Sequence, residues 1–204
     1  MKKSIVMLIS LLFITAISAL LLQNLNDTQS YITSQNYKIN KVQLMALVKN
    51  AQKEASAVIK KYPDDLPDLE NVPLDIEGNE ILFTLKEYDR KNVNLLKEKN
   101  SKKYKNIEDL FFDNNIGDFD NFRYFFSSGQ TVKNNKQLDN IIDNFVKETY
   151  NKNIQNIRNQ LGFLDTKDKL YELYLYVKNL GDFVNAYYVL DKEGKVKYFE
   201  LGFK

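Results

Sequence analysis

Chemistry in this chain has to be done without two of the most versatile side chains. The 204 residues include no histidine and no cysteine. That removes the commonest general base, the commonest metal ligand, every thiol nucleophile and any disulfide framework. Carboxylates remain. One group, Asp64, Asp65, Asp68, Glu70 and Asp75, lies among Pro63, Pro67 and Pro73. With no base beside it, this group reads as a solvated, irregular connection and not as an acid–base pair. A second group surrounds a glycine: Asp113-Asn-Asn-Ile-Gly-Asp-Phe-Asp120. Oxygen ligands around a glycine are what calcium requires, so Asp113, Asp118 and Asp120 are the candidate metal ligands. Their spacing departs from the EF-hand loop, and a plain Asx-rich turn is the stronger reading. No Ser-Lys pair or convergent carboxylate pair stands out. The chain is therefore not expected to be an enzyme, and calcium is the one cofactor considered.

Basic residues concentrate between Asn92 and Asn106 (Lys97, Lys99, Lys102, Lys103 and Lys105), yet the net charge is only +2. Beyond Tyr104 no aromatic series accompanies the run. It reads as a solvated face, with no specific nucleic-acid binding expected.

The elements that position these groups start from one long segment. Met1 to Tyr62 contains no glycine and no proline, so a single helix is the expected structure. Ile5 to Leu22 carries no charge and, as a helix, would reach about 27 Å, close to one bilayer core. Lys2 and Lys3 precede it and the first acid is Asp27. The positive-inside rule then places residues 5–22 as a transmembrane helix with the N-terminus cytoplasmic. A cleaved signal peptide is the alternative. The run is longer than a signal core of about 7–15 residues, and Ile17 stands where a cleavage site needs a small side chain. From Gln23 to Asn40 apolar residues thin to Leu25, Ile32 and Ile39, a stripe suited to packing on neighbouring helices. Leu44, Leu47, Val48, Ala51, Ala55, Val58, Ile59 and Tyr62 then recur at helical steps, which predicts a spine buried against a domain.

Beyond Pro63 the expected order is a strand at Glu80–Tyr88, and short helical turns over 107–112 and 119–126 that bury Leu110, Phe111, Phe122 and Phe125. A helix over Lys136–Leu161 follows. Tyr171–Val177, Phe183–Leu190 and Lys195–Phe203 are three β-rich runs separated by turn-like residues. The fold class is α+β: a long N-terminal helix, transmembrane and then amphipathic, packed on a small antiparallel sheet with a helical insert.

This order of parts resembles the type IV pilins and type II secretion pseudopilins, and within them the K-type minor pseudopilin. Val72-Pro-Leu-Asp-Ile-Glu-Gly-Asn-Glu-Ile-Leu-Phe-Thr-Leu-Lys-Glu-Tyr-Asp89 and Val93-Asn-Leu-Leu96 are similar to that family's first strand and following Asn-Leu segment. A helical stretch at about 98–165 is similar to its inserted α-domain. The resemblance implies a leader over 1–4, a transmembrane helix over 5–22, its periplasmic continuation over 23–62 and a globular domain over 63–204. It implies cutting by a prepilin peptidase between Ser4 and Ile5, with Ser4 where the family has glycine. Leu8 stands where most pilins carry a glutamate that neutralises a neighbour's N-terminal ammonium; K-type members lack that acid, which suits an end position. The implied function is a minor pseudopilin of a type II secretion-like system, anchored in the inner membrane with a periplasmic C-terminal domain, capping or initiating a pseudopilus. Its partners would be other minor pseudopilins, the prepilin peptidase and secreted cargo. A minor pilin or competence pseudopilin of a pilus or DNA-uptake system, and an unrelated anchored periplasmic protein, are the alternatives.

Overall fold

A computed structural model describes the backbone of residues 2–62, 66, 69–76, 79–98, 100–127, 129 and 131–203, and the side chains of the same residues except 2–12 and 74–76. Helix α1 runs unbroken over Lys2–Lys61, 60 residues, as the absence of helix breakers dictates. Strands β1 (Leu69–Ile76), β2 (Asn79–Glu87) and the short β3 (Lys91–Asn92) follow. Helices α2 (Lys105–Asp113), α3 (Phe119–Ser127) and α4 (Asn135–Thr149) come next. The chain closes with the short β4 (Leu161–Gly162), β5 (Leu170–Asn179), β6 (Asp182–Asp191) and β7 (Val196–Phe203). Among the described residues β1, β2, β5, β6 and β7 form a five-stranded sheet in that spatial order, every pairing antiparallel, while β3 and β4 pair in parallel. The coarse α+β expectation holds.

Alternation along the strands gives the sheet two different faces. Ile81 and Leu85 of β2, Tyr171, Leu173, Leu175 and Val177 of β5, and Val184, Ala186 and Leu190 of β6 pack against α1 in one core. The helix supplies Leu44, Val48, Ala51, Ala55 and Ile59, each no more than 4 % exposed. Their four- and three-residue steps put them on one stripe, and each large aliphatic buried this way contributes about 1.5–3 kcal/mol. Most of the expected stripe is therefore buried against strands; Leu47 and Val58 are only partly so, and Tyr62, just beyond the end of α1 at Lys61, remains 46 % exposed. The opposite face of the sheet meets the helical part of the chain through Tyr187 and Tyr198, which pack beside Tyr88, Leu170 and Val189.

That helical part has a core of its own. Phe111, Phe122, Phe126 and Phe145 are at most 1 % exposed, and the Phe122 ring stands edge-on to Phe126 and Phe145, each 5.5 Å away between centroids. The geometry is the edge-to-face arrangement favoured by ring quadrupoles.

Several expectations are corrected here. The acidic proline-rich connection contains strand β1, with Pro73 inside it. Proline is tolerated because β1 is the outer strand of the sheet, where a missing N–H breaks no ladder on the solvent side. In the lysine-rich stretch from Asn92, Lys97, Lys102, Lys103 and Lys105 are exposed as expected, but Val93, Leu96 and Tyr104 of the same stretch are buried in the helical core. The Asn94 amide donates to the Val132 and Phe163 carbonyls, both at 3.0 Å, and accepts from the Val132 N–H. Ile107 and Phe126 are buried in that core, whereas Leu110 and Phe125 are only partly so. The expected helix over 136–161 breaks at Tyr150, which adopts the left-handed conformation (φ 58°) and caps α4 by donating its N–H to the Val146 carbonyl. Asn151 then starts a separate 3-10 segment, Lys152–Gln160, its side chain accepting from the Asn153 N–H.

Candidate functional site

The helix α1 divides at Asn40. Towards the C-terminus it is the spine just described. Towards the N-terminus its described side chains are exposed almost without interruption: Phe13 61 %, Ile17 56 %, Leu21 58 %, Leu25 65 % and Ile32 53 %. Residues 13–39 make about 40 Å of helix at ~1.5 Å per residue. Thr28 and Thr33 turn their hydroxyls back onto the Asn24 and Gln29 carbonyls, which satisfies these polar groups within the helix itself. The outward surface left over is dominated by aliphatic and aromatic groups over Phe13–Leu25. Single exposed apolar residues need no explanation, but a contiguous apolar face marks a surface that associates.

The single-pass inner-membrane placement expected from the sequence is overturned. No helix among the described residues is long and apolar enough to cross a membrane. Of the expected span only the side chains of Phe13–Leu22 are described; these cover about 15 Å, half of a hydrocarbon core, before Gln23, Asn24 and Asp27 turn the helix polar. The side chains of Ser4 and Ile5 at the expected cleavage point, and of Leu8, lie outside the described residues.

Two polar fastenings hold the spine at its ends. At one end the Asn40 amide donates to the Asp182 carboxylate at 2.5 Å and to the Asn179 carbonyl at 3.3 Å, gripping the β5–β6 turn. At the other, the Ser56 hydroxyl donates to the Gly194 carbonyl at 2.9 Å in the β6–β7 turn. Gly194 has φ 71°, and a Cβ there would lie 2.8 Å from that of Ser56. Both the left-handed backbone and the close approach require glycine. The orientation of α1, and with it the direction of the exposed segment, follows from these contacts.

A buried polar cluster ties the connection after β2 to strands β5 and β6 on the far face of the sheet. Arg90, just after β2, donates to the Glu172 carboxylate and the Tyr174 hydroxyl. Tyr187 donates to the same carboxylate at 2.9 Å and Tyr174 at 3.3 Å. Burial pushes the Tyr174 hydroxyl up to about 12, the Arg90 charge pulling only partly the other way. Burial raises Tyr187 as well. Both phenols therefore stay protonated near neutrality and act as hydrogen-bond donors to Glu172. The arrangement is a satisfied clamp of the β2–β3 connection onto the sheet, not a poised acid–base pair. Residue spacing gave no sign of it, because Arg90 and Glu172 are 82 positions apart.

Asp113 ends α2, Asp118 holds a left-handed conformation (φ 62°) before α3, and Asp120 lies in the first turn of α3. All three are exposed. No group of three or more acidic side chains able to hold a metal occurs among the described residues. The segment has the left-handed Asn115 and Asp118 of an Asx-rich turn.

Comparison with known proteins adds no relative: no family model, no curated protein and no solved structure matches the chain.

Proposed function

We propose that this chain is an assembly subunit of the pilin-like kind, a minor pseudopilin that caps or initiates a short filament through helix–helix packing. One observation carries the reading. A single continuous helix is the spine of an antiparallel head at Leu44–Ile59 and extends past it with an exposed apolar face at Phe13–Leu25. A head would gain nothing from such an extension on its own; packed against the same face of other subunits, each exposed leucine, isoleucine or phenylalanine would contribute about 1.5–3 kcal/mol. The resemblance of residues 72–96 to the K-type segment supports the same reading, and Leu8 in place of the customary acid supports a place at the filament end. No step of bond-making is assigned to the chain.

The test is association of the full chain with Ile17→Glu and Leu21→Glu introduced together. Expected is loss of the oligomers formed by the unaltered chain in sedimentation, with the circular dichroism of the head unchanged. An unaltered chain that sediments as a monomer, or oligomers indifferent to both charges, would refute the assembly role. Cross-links spread evenly along a filament would refute the end position.

A further inference from the structure

The two edges of the sheet differ in how open they are. Strand β1 carries Pro73 and a bulge between Leu69 and Val72, with Asn71 at φ 49°. A missing N–H and a twisted backbone are the usual devices that keep another strand from adding to an edge. Strand β7 has neither along most of its length: Tyr198 to Phe203 pair residue for residue with β6, without proline. Its outer row of N–H and C=O groups is what a further strand needs.

The surface beside β7 is equally specific. Phe199 is 58 % exposed, Val196 42 % and Met45 of α1 47 %. With Lys49, Leu201 and Phe203 they line a groove of about 430 Å³ between α1 and the edge strand. Its ends are basic. The Lys41 ammonium lies 4.4 Å from the centre of the Phe203 ring, and the adjoining hollow is lined by Lys60, Lys192 and Lys195 with Glu193. Glu193 pairs with Lys195 at 2.5 Å, which leaves the seam net positive.

The geometry points to β7 as the docking edge for an extended segment of a partner protein, apolar at its centre and flanked by carboxylates, bound as a sixth strand. Main-chain hydrogen bonds would run along Val196–Phe203, every second side chain would enter the groove over Phe199 and Met45, and the flanking acids would meet Lys41 at one end and Lys60, Lys192 and Lys195 at the other, with Lys49 on the groove wall between them. The ladder supplies affinity, and the lysines select the sign of the partner's charge. This edge belongs to the head alone and is separate from the Phe13–Leu25 face.

The probe is a fluorescent nonapeptide, Glu-Glu-Val-Thr-Val-Thr-Val-Glu-Glu, titrated into the full chain and read by anisotropy. Two controls accompany it: a version with all four glutamates replaced by lysine, and one with alternate backbone amides N-methylated. Expected is saturable binding of the acidic peptide, weakened about tenfold or more by Phe199→Glu, and by Lys41→Glu with Lys49→Glu. Neither control should bind. Phe199, Lys41 and Lys49 are exposed, so the variants are expected to fold, and an unchanged melting temperature checks this. Equal binding of the lysine peptide would refute the charge selection, and equal binding of the methylated peptide would refute strand addition. Absence of binding by the acidic peptide would overturn the docking edge. A chain whose own dimer is dissociated by Phe199→Glu would show that a second copy, and not an acidic partner, occupies the edge.

Discussion

Arg90 and Glu172 form a buried ion pair between the end of β2 and the middle of the sheet, their side chains 9 % and 4 % exposed. Two tyrosine hydroxyls complete the carboxylate's shell. Breaking such a pair from one side strands a charge, whereas replacing both partners by apolar groups removes the desolvation cost as well. Glu172→Leu is expected to cost about 3–5 kcal/mol. Adding Arg90→Met should recover most of it, although Tyr174 and Tyr187 still lose an acceptor. Urea denaturation midpoints of the two singles and the double check this; additive losses would contradict it.

The same cluster predicts an alkaline transition. A phenol with an ordinary value of 10.0 sits at about 12 when Tyr174 is folded, so the folded state holds its proton more tightly than the unfolded chain does. That contribution is fully present below the unfolded value and is lost as pH rises from there through the folded value. Stability should fall over that window, and Tyr174→Phe should flatten the fall. Thermal melts at stepped alkaline pH, with tyrosinate absorbance followed in parallel, measure it.

Gly194→Ala meets two obstacles at once: φ 71° and contacts of 2.8 Å to the Ser56 Cβ and 2.9 Å to the Ser56 carbonyl oxygen. The left-handed backbone alone costs about 1–2 kcal/mol. Ser56→Gly in the same chain should not rescue it, since the carbonyl remains. The melting temperatures of single and double variants decide; full rescue would show that the side-chain contact was the whole cost.

Phe122 touches Phe111, Phe126 and Phe145 in a core distinct from the one beneath α1. Phe122→Ala is expected to cost about 3–5 kcal/mol. Amide hydrogen exchange should rise first over residues 105–160, with β5 and β6 retaining protection. Uniform loss across both regions would show that the cores unfold as one.

How much of this was legible beforehand differs by element. The 60 residues of α1 could be read because helix continuity depends on local facts, the lack of glycine and proline, and the Leu44–Ile59 stripe because burial repeats at the helical period. Strands β5, β6 and β7 were readable for the same reason, their aromatic and β-branched alternation being short-range. Strand β1 was not. Its carboxylates and Pro73 look like a loop, and only a place at the sheet edge makes the proline acceptable. The break at Tyr150 was equally hidden, since tyrosine is not a residue whose identity signals a left-handed cap.

Sequence by itself determined the helix, the strands after Leu170 and the absence of histidine and cysteine chemistry, because each is a property of neighbours along the chain or of composition. Only the tertiary structure decided which charges meet and which edges stay open. Arg90 found Glu172, Asn94 bridged Val132 and Phe163, Gly194 came against Ser56, and β7 was left at the rim beside an apolar groove. Such pairings join residues tens of positions apart, where one carboxylate or one strand reads like any other until the sheet order and the burial around it have been set by the whole fold.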